Sequence, residues 1–281
     1  MNLPEVPAGW AIRSGKLIAD GIGGKVFRVE LGDGTPAIVK QPSVLAIRDG
    51  DAETGADFLT WRDGIGAIRL LATHGHLQLL EYAGDRTLLS IFEDEGDDAA
   101  TLIACEVIQN LHAPAPGFPP TSLLGLRDNF RSLFARAAAD RNADVDSQFV
   151  AAADVAETLL SSQTGIRPLH GDIHHENILH GPRGWLAIDA KGLMGDPAFD
   201  VANMFYNPVE SELRTDERRI ASMAAVLSDR LGDERGKMLD YAFAFSALSA
   251  SWHVEDGNEA EAARSLAVGR AVRNVRLLVS G

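Results

Sequence analysis

The hydrophobic pattern divides the chain into a strand-rich beginning and a helix-rich remainder. Lys25 to Leu31 alternates, with Val26, Val29 and Leu31 set among Lys25, Arg28 and Glu30. After a Gly-Asp-Gly turn, Pro36-Ala-Ile-Val-Lys40 follows at hairpin distance. The spacing predicts a helix over 51–62, with Phe58, Leu59 and Trp61 apolar and Asp63-Gly64 as its stop. Two further apolar runs, 67–71 and 76–82, flank a Thr-His-Gly turn. These elements predict a small, mostly antiparallel sheet with one inserted helix.

Beyond Ala83-Gly84 the period changes. Helices are expected over 99–111, 126–139 and 147–161, with a Pro-rich break at 113–120. Residues 167–190 interrupt the rhythm with short apolar runs and polar loops. From Ala198 onward helical periodicity returns in three or four segments, and Tyr241, Phe243, Phe245 and Trp252 are expected in the core. The fold class is therefore α+β and two-lobed, with residues 1–82 as the small lobe and 83–281 as the larger helical one.

Composition adds limits. The 281 residues carry 40 acidic and 26 basic side chains, a net charge of −14. Such a surface repels polyanions, so nucleic acid and anionic membranes are not expected partners. The same balance suits a cationic small molecule. Cys105 is the single cysteine, which rules out an intrachain disulfide and fits a reducing compartment. The opening Met-Asn-Leu-Pro-Glu-Val-Pro has no basic-then-apolar signal pattern. No apolar stretch reaches the ~20 residues of a membrane span. A cytoplasmic location is expected, and the oligomeric state stays open.

The chemistry concentrates in Leu169-His170-Gly171-Asp172-Ile173-His174-His175-Glu176-Asn177. A histidine two before an aspartate, and an asparagine five after it, has the spacing of a kinase catalytic loop. A second aspartate, Asp189, lies 17 residues beyond Asp172 at the end of a short apolar run. Phosphoryl transfer needs a carboxylate to orient the attacking hydroxyl and take its proton, which fits Asp172. It needs hard oxygen ligands for magnesium, which Asn177 and Asp189 can offer. It also needs a cation on the phosphates, and Ala37-Ile-Val-Lys40 resembles the kinase strand that supplies one.

Together with Gly195-Asp196-Pro197 and Asp200, these residues resemble the aminoglycoside phosphotransferase family of protein-kinase-like small-molecule kinases. Residues 61–71 and 246–257 resemble its streptomycin 6-phosphotransferase and hydroxyurea phosphotransferase branch. The resemblance implies ATP and Mg2+ as cofactors and a small-molecule hydroxyl as acceptor. It implies Asp172 as base, Asn177 and Asp189 as metal ligands, and Lys40 as phosphate clamp. Asp200 and His170 would brace the loop, and Glu81, Tyr82 and Ala83 would meet adenine. The acidic partner of Lys40 would be Glu53 or Asp57, with Glu53 favoured for its longer arm.

Gly21, Gly23 and Gly24 lack a full G-x-G-x-x-G pattern yet leave backbone amides free to approach phosphates. Other readings remain: a kinase for an amino alcohol or homoserine-like metabolite, a nucleotide-binding pseudokinase, or a zinc site at His170, His174 and His175. Glu255, Asp256, Glu259 and Glu261 are expected on a solvated surface rather than at an acceptor.

Overall fold

The computed structural model describes residues 3–279. Strands β1 (Ile12–Gly21), β2 (Gly24–Leu31) and β3 (Pro36–Pro42) precede helices α1 (Val44–Arg48) and α2 (Asp51–Arg62), and β4 (Leu70–His74) and β5 (Leu77–Glu81) follow. All five strands pair antiparallel in the order β1-β2-β3-β5-β4. The sheet thus has an extra first strand. Ten residues long but half-buried at only Ile12 and Leu17, β1 carries almost no apolar alternation. Its place comes from pairing with β2, which a local pattern does not encode.

Strand alternation decides what each face of the sheet does. Phe27 and Val29 of β2, Ala37 and Val39 of β3, and Leu79 of β5 pack with Trp10 into one small core. The intervening residues, Val26, Ile38, Lys40 and Leu80, face the other way and line a cleft. The residue that must meet phosphate is therefore set by register: Lys40 pairs across to Val26 on one side and Gln78 on the other.

Helix α2 begins and ends where the sequence predicts, with Asp63 in a left-handed stop at φ 43°. Its buried residues Phe58 and Leu59 join the core of the larger lobe rather than that of the sheet. Arg62 is fully buried at its end and donates to the carbonyls of Ile65, Asn110 and Ala113 at 2.9, 2.7 and 2.9 Å. Three hydrogen bonds from one guanidinium offset its desolvation and fasten α2 to the next helical layer.

The larger lobe runs through β6 (Arg86–Thr87), α3 (Leu88–Glu95), α4 (Asp97–His112), β7 (Leu124–Gly125), α5 (Leu126–Asn129), α6 (Arg131–Asn142) and α7 (Gln148–Ser161). Then come β8 (Arg167–Leu169), β9 (Ile178–Gly181), β10 (Gly184–Ala187), β11 (Leu193–Gly195), α8 (Ala202–Tyr206), α9 (Glu217–Leu231), α10 (Arg235–Glu255) and α11 (Glu259–Val279). The predicted helix over 126–139 is two helices, broken at Phe130, and α1 and α3 are additional. Two short three-stranded sheets, β10-β9-β6 and β7-β11-β8, carry the loops of the site. Helix α10 is buried on all sides through Tyr241, Phe243, Phe245 and Leu248, as a central helix should be. Cys105 is buried in α4, which pushes its thiol up to about 11 and keeps it protonated. No helix among the described residues is long and apolar enough to cross a membrane.

One core residue should make the fold acid-sensitive. His175 is fully buried, edge-on to Phe92 at 5.4 Å between centroids, and neither ring nitrogen has a hydrogen-bond partner among the described residues. Burial, aided by the Arg219 charge, pushes its pKa down to about 3. The unfolded chain, with an ordinary histidine near 6.5, then binds the extra proton between those values, so stability falls as pH falls below about 6.5. The slope from this residue approaches about 1.4 kcal/mol per pH unit. His175→Phe should flatten the decline in melting temperature between pH 7 and pH 5, measured by thermal denaturation; an unchanged decline would show that another group is responsible.

Candidate active site

The loop between β8 and β9 is held from beneath. Asp200, 2% exposed, accepts the backbone N–H of His170 at 3.1 Å and of Gly171 at 2.7 Å, and its Oδ2 lies 2.9 Å from His112 Nε2. His170 is fully buried, which lowers its pKa and keeps the ring neutral. Its Nδ1 accepts the Asp172 N–H at 3.2 Å, so Nε2 carries the proton and donates to the Ile188 carbonyl at 2.9 Å. Gly171 has φ 82°, and a Cβ there would press on Leu193. The ring of His170 thus links the loop to the segment that ends in Asp189.

Asp172 emerges from this turn with both oxygens engaged. Asn203 Nδ2 donates to Oδ1 at 2.8 Å, and Asn177 Nδ2 donates to Oδ2 at 3.3 Å and to the Asp172 carbonyl at 2.9 Å. Burial works to raise its pKa, but the Lys191 ammonium, with His174 and the Asn203 hydrogen bond, holds it below the ordinary carboxylate value. Asp172 is therefore anionic at neutral pH, as a proton acceptor must be. Asn203 had no place among the predicted residues. It stands on α8 three residues after Asp200, one helical turn from the brace, and its own Oδ1 accepts Asn207 Nδ2 at 2.8 Å. That one-turn spacing was the available signal.

Asp189 sits just past β10 in a left-handed conformation, φ 60°, which costs a non-glycine residue energy and recurs at functional sites. Its carboxylate pairs with Lys40 from the opposite lobe. Helix α2 comes close behind it: a Cβ on Gly55 would run into the Ala190 carbonyl oxygen. Asn177 spends its amide nitrogen on Asp172, which leaves the amide oxygen as a donor atom. The Asp189 carboxylate and this oxygen are hard, all-oxygen donors of the kind magnesium takes. A zinc site does not form: His175 is buried away, His174 Nδ1 accepts the Glu176 N–H, and no cluster of three His, Cys, Asp or Glu suits a metal among the described residues.

These groups open into one interlobe cleft of 680 Å³. Its inner walls are apolar: Val26, Ile38, Ile68 and Leu80 from one side, Leu179 and Ile188 from the other. Tyr82 and Ala83 line it where the chain crosses between lobes. Glu81 borders the same place, but its side chain is bound to Arg183 Nε and Nη2 at 2.6 and 2.5 Å and to the Arg69 N–H at 2.9 Å. Gly21 pairs with Gly24 across the β1–β2 turn, and Gly23 reaches the cleft. Gly24, at φ 126°, lies against the Gln41 backbone and admits no side chain.

Two expectations need correction. Glu53 is exposed and makes no ion pair with Lys40 among the described residues, and Asp57 is exposed and bonded by Ser122. The face of α2 turned to the cleft holds Asp51, Ala52, Gly55 and Leu59, so a two-residue rotation on the helix removes Glu53 from reach. Conversely, Trp252, Glu255 and Asp256 border the cleft, as do Asp51 and Asp49, the latter paired with Arg48 and Arg131. The end of α10 escapes the core that holds its middle. Glu261, by contrast, is tied up with Tyr206 and Arg214.

Comparison with known proteins agrees with this geometry. Residues 9–257 match the family described as aminoglycoside/hydroxyurea antibiotic resistance kinase. The chain is 41% identical to a streptomycin 3''-kinase of Klebsiella pneumoniae over 226 residues, 77% of this chain and 81% of that one. It is 31% identical to a streptomycin 6-kinase of Streptomyces griseus over 277 residues, 94% and 85% of the two chains. Aminoglycoside phosphotransferase APH(4)-Ia, solved with ADP and hygromycin B, shares the fold at a TM-score of 0.66 and 16% identity, covering 94% of each chain. The chain belongs to the aminoglycoside/hydroxyurea antibiotic resistance kinase family and is a small-molecule phosphotransferase of protein-kinase-like fold.

Proposed function

We propose that this protein moves the γ-phosphoryl group of ATP, with Mg2+, onto a hydroxyl of streptomycin or a similarly cationic aminoglycoside. The observation that carries the reading is the lining of the cleft around Asp172. Apolar walls, Lys40 and Asp189 share it with Asp51, Glu255 and Asp256, which form no salt bridge among the described residues, while Asp49 is paired with Arg48 and Arg131. Apolar walls beside a cation suit a nucleotide, and unpaired carboxylates suit guanidinium or ammonium groups.

In this reading residues 1–82 form the nucleotide lobe and 83–281 the catalytic and acceptor lobe. Glu81, Tyr82 and Ala83 present backbone to adenine, and Gly21, Gly23 and Gly24 cover the phosphates. Lys40 holds the α- and β-phosphates, and Asp189 and Asn177 hold the metal ion, which when bound offsets charge on the phosphate oxygens. Asp172, fixed by Asn203, orients the acceptor hydroxyl and takes its proton. The acceptor oxygen then bonds to phosphorus as the bond to ADP breaks. Asp200 and His170 keep the loop in place. Positioning and charge compensation supply the rate. A reducing, ATP-containing cytoplasm fits these requirements.

Hydroxyurea, small and uncharged, would leave these carboxylates without a role, so we place it second. Coupled ADP release should be measured with streptomycin, hygromycin B, hydroxyurea, ethanolamine and homoserine. Streptomycin should give the highest kcat/KM; a higher value for hydroxyurea or an amino alcohol would overturn the assignment of acceptor. The 41% relative favours the 3''-hydroxyl over the 6-hydroxyl, which NMR of the product distinguishes.

A further inference from the structure

Lys191 has no assigned task, yet its surroundings are built. Its backbone is clamped from two elements: the N–H donates to the His170 carbonyl at 2.9 Å, and its carbonyl accepts Thr54 Oγ1 at 2.5 Å. The first bond joins it to the catalytic loop and the second to α2. The half-buried side chain runs along the cleft, where Nζ stands 4.5 Å from the centroid of the Trp252 ring. An indole face holds an ammonium by its quadrupole and fixes the long side chain without neutralising the charge.

That last point separates the two lysines of the cleft. Lys40 is paired with Asp189. Lys191 forms no salt bridge among the described residues; the carboxylates of Asp172 and Asp51 lie in its field without pairing with it. Its ammonium therefore keeps N–H donors for an anion that enters the cleft. It follows Asp189 by two residues, lines the same cleft as Asp172 and acts on its charge, which sets it beside the stretch that the transferring group must cross.

We propose that Lys191 is a second catalytic cation, which receives the γ-phosphate beside Asp172 and stays with it during transfer, while Trp252 positions it. This rests on the reading above in which Asp172 is the base and the apolar walls hold ATP. The balance is simple. The acceptor O–H gives its proton to the Asp172 carboxylate, the new O–P bond forms, and the bond from phosphorus to the ADP oxygen breaks with its electrons going to ADP. Lys191 keeps its protons throughout. Its charge offsets the negative charge on the equatorial oxygens as the phosphoryl group moves away from Lys40.

The test compares nucleotides that differ at the γ-position. Mg-ADP and Mg-AMP-PNP should be titrated calorimetrically into the parent protein, Lys191→Met and Lys191→Arg, with thermal melts to check folding. Lys191→Met should weaken AMP-PNP by about tenfold while ADP stays within about twofold, and should lower kcat by about a hundredfold. Lys191→Arg should recover part of both losses. Equal weakening of the two nucleotides, no weakening of either, or kcat within about threefold of the parent would overturn the role of Lys191. Loss of the AMP-PNP preference without recovery by arginine would mark the residue as merely structural. Failure of the underlying reading looks different: Asp172→Ala would then keep parental turnover, or the parent would bind neither nucleotide.

Discussion

Asp172→Ala should lower kcat by roughly a thousandfold while leaving the affinity for Mg-ATP within about threefold. The carboxylate is half-buried in the cleft, anionic, and held by two amide donors at once, Asn203 and Asn177. Its oxygens face those amides, whereas the nucleotide is assigned to the apolar walls and Lys40, so nucleotide binding should not depend on it. Asp172→Asn keeps the shape and removes the basic oxygen, and should lose nearly as much rate with a smaller change in melting temperature. The acid limb of the rate profile should also be informative. With its pKa held below the usual carboxylate value by Lys191, His174 and Asn203 against the opposing effect of burial, Asp172 should lose its rate contribution only below the range of an ordinary carboxylate. Steady-state kinetics on the three proteins, with calorimetry for ATP, tests both statements.

Asp200→Ala should be the most destabilising single change near the site. Its side chain is wholly buried and receives two backbone N–H groups and the His112 ring. Alanine would leave all three donors without a partner, a loss of about 3–5 kcal/mol by analogy with broken buried charge pairs. The melting temperature should fall by on the order of 10 °C. Because the lost bonds define where Gly171 and Asp172 point, the folded fraction should show a reduced kcat with nearly normal nucleotide affinity. Asp200→Asn keeps one acceptor oxygen and should sit between the two. A melt within a degree or so of the parent would mean that the loop is held by other contacts, chiefly the His170 ring and the Lys191 N–H.

How far the chain could be read from its residues follows from the range of each signal. The α2 boundaries were legible because a first-turn acid pair and an Asp-Gly stop act within one helical turn. The loop from His170 to Asn177 was legible because phosphoryl transfer constrains residue types at short, fixed spacings. Strand β1 was not, since an exposed strand held by backbone pairing leaves no apolar alternation. Glu53 was misplaced because the choice among acids on α2 depends on which helix face meets the cleft, and Phe58 and Leu59 turn toward the larger core. Trp252 looked like core because α10 is apolar throughout; only the point at which the helix leaves the core makes its last turn a cleft wall. Asn203 was signalled only by its one-turn spacing from Asp200, and Lys191 by no local pattern, since its place depends on a backbone clamped between the loop and α2.

The central claim is that Asp172 directs a phosphoryl group from ATP to a cationic acceptor. The most direct measurement incubates parent protein and Asp172→Ala with Mg-ATP and streptomycin, and follows ADP and acceptor together by mass spectrometry. The account predicts that the parent yields streptomycin one phosphoryl group heavier in step with ADP, and that the variant yields neither over the same time. Phosphorylated streptomycin appearing at the parental rate with Asp172→Ala, or ADP accumulating in the parent with the antibiotic unmodified, would contradict it.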